Sequence, residues 1–185
     1  SVLGGKVMGA LARGMHAVGL PLWTPSMPKA YNASKRVAAA GDSVLKVVYF
    51  PSCLNQTMGI DKASEGMKPL AEEMIELLGK AGYEVILPEN MDSLCCGTIW
   101  ESKGLPEIAA NKTRQLEEAL WEASEHGKYP VVCDQSPCLH RMKQHISKVE
   151  LYESTEFIWK FLKDRLTFTR TDTPVALHLT CSTRL

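Results

Sequence analysis

The chain has 185 residues, 45% of them hydrophobic and 23% charged, a globular balance with room for one good-sized domain or one domain plus parts of its neighbours. Its 21 basic and 21 acidic residues cancel, which excludes the basic footprint of a nucleic-acid binder. Six cysteines are too sparse for a secreted disulfide scaffold, and Lys6 and Arg13 interrupt the apolar stretches of residues 1–20, against a signal core or a spanning helix.

Leu3, Val7, Met8, Leu11, Met15 and Val18 recur at helical spacing, so residues 3–19 are expected to form a helix that Gly19-Leu20-Pro21 ends. The proline-rich stretch from Pro21 to Pro28 reads as an irregular linker. Val47-Val48-Tyr49-Phe50 is a short β-rich run closed by Pro51. Met67, Leu70, Ala71, Met74, Ile75 and Leu78 then predict an amphipathic helix over 64–80 with both methionines in the core. Residues 84–88 form the second predicted strand. Leu105, Ile108, Ala109, Leu116, Leu120 and Ala123 mark a helix with Pro106 near its start and Gly127 past its end.

Pro130-Val131-Val132-Cys133 is the third predicted strand, and a short helix is expected from near Pro137. A further helix over 155–166 would bury Phe157, Ile158, Phe161 and Leu162. Residues 175–180 read as a fourth strand with His178 packed inside it. Strands alternating with helices predict an α/β fold, Rossmann-like, with a mostly parallel sheet flanked by helices and an N-terminal helical extension. The expected division is a helical lead-in and linker (1–44), a first cysteine-rich module (45–150), and a connecting helix with the start of a truncated second module (151–185). The chain reads as a piece of a larger protein.

The tripeptide Cys95-Cys96-Gly97 carries the chemistry. Adjacent cysteines have Cα atoms about 3.8 Å apart, short of the roughly 4.4–6.8 Å of a relaxed disulfide. Two thiolates from one turn are instead good metal ligands, with Gly97 expected to allow a tight turn beside the metal. Cys53, Cys95, Cys96, Cys133 and Cys138 each fall at or after a predicted strand's carboxyl end, where α/β sheets gather ligands. The segments 47–53 and 175–181 echo one another, each an apolar run, a Ser or Thr, then Cys, so Cys181 is expected to open a second copy of the module.

This cysteine pattern resembles the cysteine-rich CCG domain of heterodisulfide reductase subunits, anaerobic glycerol-3-phosphate dehydrogenase, glycolate oxidase iron–sulfur subunits and lactate-utilisation proteins. Residues 20–28 and 132–138 look most like the carboxy-terminal iron–sulfur region of FAD-linked D-lactate dehydrogenases. The resemblance implies electron transfer through a cysteine-bound iron–sulfur cluster of the 4Fe–4S type. It also implies FAD outside this piece, and a flavin domain and a ferredoxin-like domain as partners. The expected location is cytoplasmic, with peripheral membrane association on that face compatible with the family. One departure stands out: the family's last two cysteines are separated by two residues, whereas Cys133 and Cys138 are separated by four. Gln135 or Ser136 could stand in the missing place, which leaves Cys53, Cys95, Cys96 and Cys138 as the firmer ligand set, with Cys181 a ligand of the second module.

The alternative is a structural zinc-binding interaction module, since Zn²⁺ accepts four thiolates. No glycine-rich phosphate loop is present, so no flavin or nicotinamide site is expected here. Glu117, Glu118 and Glu122 read as a solvated helix face, and His140 and His145 as solvated or locally paired.

Overall fold

Residues 47–50 form a continuous β-branched and aromatic run, the composition of a strand covered on both faces. They form the buried part of β1 (Leu45–Phe50), an inner strand whose Val47, Val48, Tyr49 and Phe50 are at most 1% exposed. The computed structural model describes residues 5–24, 27–28, 30–32, 45–60 and 66–178. With β2 (Tyr83–Ile86), β3 (Val131–Cys133) and β4 (Leu151–Glu153), β1 forms a parallel sheet in the order β2-β1-β3-β4. Val48 pairs with Ile86 on one side and with Val131 on the other, and Val131 in turn faces Leu151. This is an α/β fold.

The helices among the described residues are α1 (Gly5–His16), α2 (Cys53–Thr57), α3 (Leu70–Lys80), α4 (Thr98–Ser102), α5 (Pro106–Ala123), α6 (Ser136–His145) and α7 (Ser154–Phe157). Pro106 occupies the first turn of α5, where its missing N–H has no intrahelical acceptor to lose. Ala109, Thr113, Leu116 and Leu120 are buried along one stripe of that helix, spaced four, three and four residues apart. The chain runs from β1 outward to β2, then returns past β1 to β3. Crossovers of the usual right hand therefore put α3 on one face and α5 and α6 on the other. The reversal between β1 and β3 leaves a crevice at their carboxyl ends, the place where open α/β sheets bind ligands.

Several expectations need correction. The second amphipathic helix starts at Leu70, with Pro69 as its cap. Proline disfavours helical geometry in the residue before it, so Met67 lies outside the helix and is 67% exposed, while Met74 is buried as expected. The helix expected over 155–166 is short: after α7 the backbone widens into a single π-helical turn, Ile158–Leu162, which still buries Phe157 and Leu162. The fourth strand is 151–153, not 175–180. Residues 175–178 have no regular structure, Val175 and Leu177 are 83% and 84% exposed, and His178 is exposed rather than packed. Residues 179–185 lie outside the described residues. In α1 only Gly9 and Ala12 are buried among its described residues; Val7, Leu11 and Met15 remain about half exposed.

Candidate metal centre

Three strands deliver the cysteines to one edge. Cys53 opens α2 two residues after β1 ends, with the Ser52 hydroxyl accepting from the Asn55 amide to cap that short helix. Cys95 and Cys96 lie in the extended segment between β2 and α4. Cys133 ends β3, and Cys138 lies in the first turn of α6. Cys53 is exposed, Cys95 and Cys138 are half-buried, and Cys96 and Cys133 are buried.

Four of these thiols form a row in which each shifts its neighbour's ionisation, Cys53 with Cys95, Cys95 with Cys96, and Cys96 with Cys138. The row divides into donors and acceptors. The bond from Cys95 holds the Cys53 thiol down to about 6, helped by the amides of Leu54 and Cys53 itself. Hydrogen bonds from Cys138 and Cys95 push the Cys96 thiol far down, with the Thr98 hydroxyl 3.2 Å away as a further partner. Cys95 and Cys138, holding their protons for these neighbours, are pushed up. In such a row the protons belong to the set rather than to single residues. Cys133 stands apart: burial pushes its thiol up, and its sulfur lies 3.9 Å from the Gln135 carbonyl.

The turn carrying Cys95 and Cys96 is clamped by residues the sequence did not single out. The Cys96 carbonyl accepts from the Thr113 hydroxyl at 2.8 Å and from Arg141 Nε at 3.0 Å. Thr113 belongs to the buried stripe of α5, and Arg141 is buried on α6. Arg141 also bonds Thr113 Oγ1 through Nη2 at 3.4 Å and pairs with Glu101 of α4 through Nη1. Gly97 has φ +93°, and a Cβ there would lie 2.6 Å from the Ala109 carbonyl oxygen and 2.9 Å from both Arg141 Nε and Thr113 Oγ1. The reason for glycine thus differs from the expected one. The space a side chain would take is filled by α5 and α6, and the turn is tight against protein.

Asp134 holds the other side of the crevice. Its carboxylate accepts from the Tyr49 hydroxyl at 2.7 Å and from the Ser52 amide at 2.8 Å, tying the end of β3 to the loop that carries Cys53. Burial, then the Asp134 charge, pushes the Tyr49 phenol well above its ordinary value near 10. Tyr49→Phe is expected to lose about 1.5–3 kcal/mol, the usual contribution of a hydrogen bond to a charged group. Above the ordinary phenol value the unfolded chain releases this proton while the folded chain keeps it, so stability falls as pH rises. Denaturant melts from pH 8 to 11 check this: the gap between wild type and Tyr49→Phe should narrow above about pH 10, and a constant gap would contradict it.

The donor chemistry of the row suits a soft metal or an iron–sulfur group, which thiolates select. Among the described residues no three His, Cys, Asp or Glu side chains surround one point as an ion would require. His140 and His145 are locally paired, His140 with Gln144 at 3.1 Å and His145 with Arg141 at 3.4 Å. Cys181 lies outside the described residues. Among these residues no helix is long and apolar enough to cross a membrane.

A family model described as a cysteine-rich domain, CCG, matches residues 47–143. A search of curated proteins finds no match, and neither does a search of solved structures. The matched stretch begins in β1, ends in α6 and contains all five cysteines described above, just over half of the chain. The chain belongs to the CCG cysteine-rich domain family.

Proposed function

We propose that this chain is an electron-transfer module of an iron–sulfur oxidoreductase, with Cys53, Cys95, Cys96 and Cys138 as the ligands of its centre and Cys133 outside the ligand set. The observation that carries the reading is the gathering of four thiols at the β1–β3 crevice, each close enough to shift its neighbour's ionisation. Membership of the CCG family supports it, since this cysteine-rich domain is found in iron–sulfur-binding oxidoreductase subunits. An iron–sulfur group supplies one-electron transfer at a potential set by burial and by hydrogen bonds to sulfur. The chain's own contribution is to present thiolates from three loops, to keep Cys96 buried, and to leave Cys53 at the exposed end.

The finer reading is an FAD-linked dehydrogenase of D-lactate or a related 2-hydroxy acid, supported by the likeness of residues 20–28 and 132–138 to that branch. In it, electrons from a flavin domain pass through this module, and a ferredoxin-like domain adjoins it. Cys181 would open a second module, and the whole would work on the cytoplasmic side. The 185-residue chain alone is expected to give no turnover of D-2-hydroxy acids with an artificial electron acceptor, because hydride removal requires a bound flavin or nicotinamide. Turnover would show it to be a catalytic domain instead.

Iron and acid-labile sulfide, measured on anaerobically prepared chain, test the main reading. Both should be present in comparable amounts. Zinc bound without sulfide would support a structural zinc module in its place.

A further inference from the structure

We propose that Arg141 is a positioning residue for the thiol centre: its buried guanidinium fixes the Cys95-Cys96-Gly97 turn through the Cys96 carbonyl. The proposal rests on the reading above that these thiols bind a metal group. It adds a residue that lies outside the cysteine pattern.

The side chain of Arg141 is 6% exposed, whereas its carboxylate partner on Glu101 is 53% exposed. Burying a guanidinium against a largely solvated partner is costly. The Cys96 carbonyl also lies 2.8 Å from the Thr113 hydroxyl, which has one proton to give and the Ala109 carbonyl as a second acceptor at 2.9 Å. What Arg141 adds is geometry and charge. Its planar fork aims Nε at the Cys96 carbonyl, Nη2 at Thr113 and Nη1 at Glu101, so one rigid group spans α4, α5 and the cysteine turn from α6. A lysine ammonium cannot reproduce that fork. Gly97 completes the lock, since its Cα packs where a side chain would strike Arg141 Nε and Thr113 Oγ1. Cys95 and Cys96 therefore leave the backbone in fixed directions.

Arg141→Met removes the fork and the charge while leaving the carbonyl its Thr113 donor and leaving Glu101 in solvent. Arg141→Lys keeps the charge, loses the fork, and serves if the methionine variant does not fold. Each is made in the full 185-residue chain and titrated anaerobically with Co²⁺, read by the thiolate-to-cobalt charge-transfer band. Arg141→Met should bind Co²⁺ about 10–100-fold more weakly, the range for loss of an outer-shell partner, and both variants should show a displaced band. Wild-type affinity and an unmoved band in a folded variant would overturn the proposal. If wild-type chain takes up neither Co²⁺ nor iron, the metal reading fails, and the positioning claim is then read on metal-free protein by alkylation. Arg141→Lys should speed iodoacetamide labelling of buried Cys96 at least ~10-fold, as the turn loosens; equal rates would overturn it.

Discussion

Replacing Gly97 with alanine is expected to destabilise the fold by about 2–5 kcal/mol, one of the two largest effects a single change should have here. The new methyl would lie 2.6 Å from the Ala109 carbonyl oxygen, a backbone atom inside α5 that cannot swing away. Overpacking of this kind typically costs about 1–3 kcal/mol. The left-handed backbone at φ +93° adds roughly 1–2 kcal/mol for any residue bearing a Cβ. Relief requires the turn to move away from α5 and α6, which breaks the bonds to the Cys96 carbonyl and shifts two thiols at once. Denaturant unfolding should show a lower midpoint with an unchanged slope. A loss below about 0.5 kcal/mol, the range of neutral surface changes, would mean that the turn is not clamped as described.

The second large effect separates two buried cysteines. Cys96→Ser should weaken metal binding by more than the roughly 10–100-fold that follows loss of an outer-shell partner. Cys96 is the buried one of the two inner members of the row, with Cys95 and Cys138 both acting on it. Cys133→Ser should leave metal content intact and instead lower stability by about 1–3 kcal/mol, because it puts a hydroxyl into a fully buried position at the end of β3. Metal analysis and thermal melting on both variants decide the matter. Metal loss from the Cys133 change exceeding that from the Cys96 change would reverse the assignment and restore Cys133 as a ligand.

The parts of the fold that were legible in the sequence are those with long or sharply bounded signals. β1 and β3 are apolar runs flanked by proline, and α5 has Pro106 at its start, a regular stripe and Gly127 beyond its end. β4 escaped notice because three residues, Leu151-Tyr152-Glu153, give too few repeats to show a period. Residues 175–178 misled for the opposite reason: β-forming side chains state a propensity, whereas a strand also needs a pairing partner. Here Leu151–Glu153 already occupies the place beside β3.

The site divides in the same way. Cys53, Cys95, Cys96 and Cys138 could be picked out because cysteine is scarce and a Cys-Cys-Gly tripeptide is unusual. Thr113, Arg141 and Asp134 could not. Their residue types are common on helices and in loops, and their importance lies in burial and direction that only the packed helices reveal. For Asp134 the one available signal was its place directly after Cys133. For Thr113 it was a polar residue at a position that the α5 stripe requires to be buried. Gly97 was expected to be crowded by a metal, whereas its crowding comes from the Ala109 carbonyl, Arg141 and Thr113.

X-ray absorption at the metal edge of anaerobically reconstituted chain tests the central claim most directly, because it counts the atoms bound to the metal. Coordination by sulfur alone is the predicted result, with metal–sulfur distances near ~2.3 Å as for zinc thiolates, and with the signal reduced or altered in Cys96→Ser. A coordination sphere dominated by nitrogen or oxygen, or a chain that takes up no metal at all, would contradict the account.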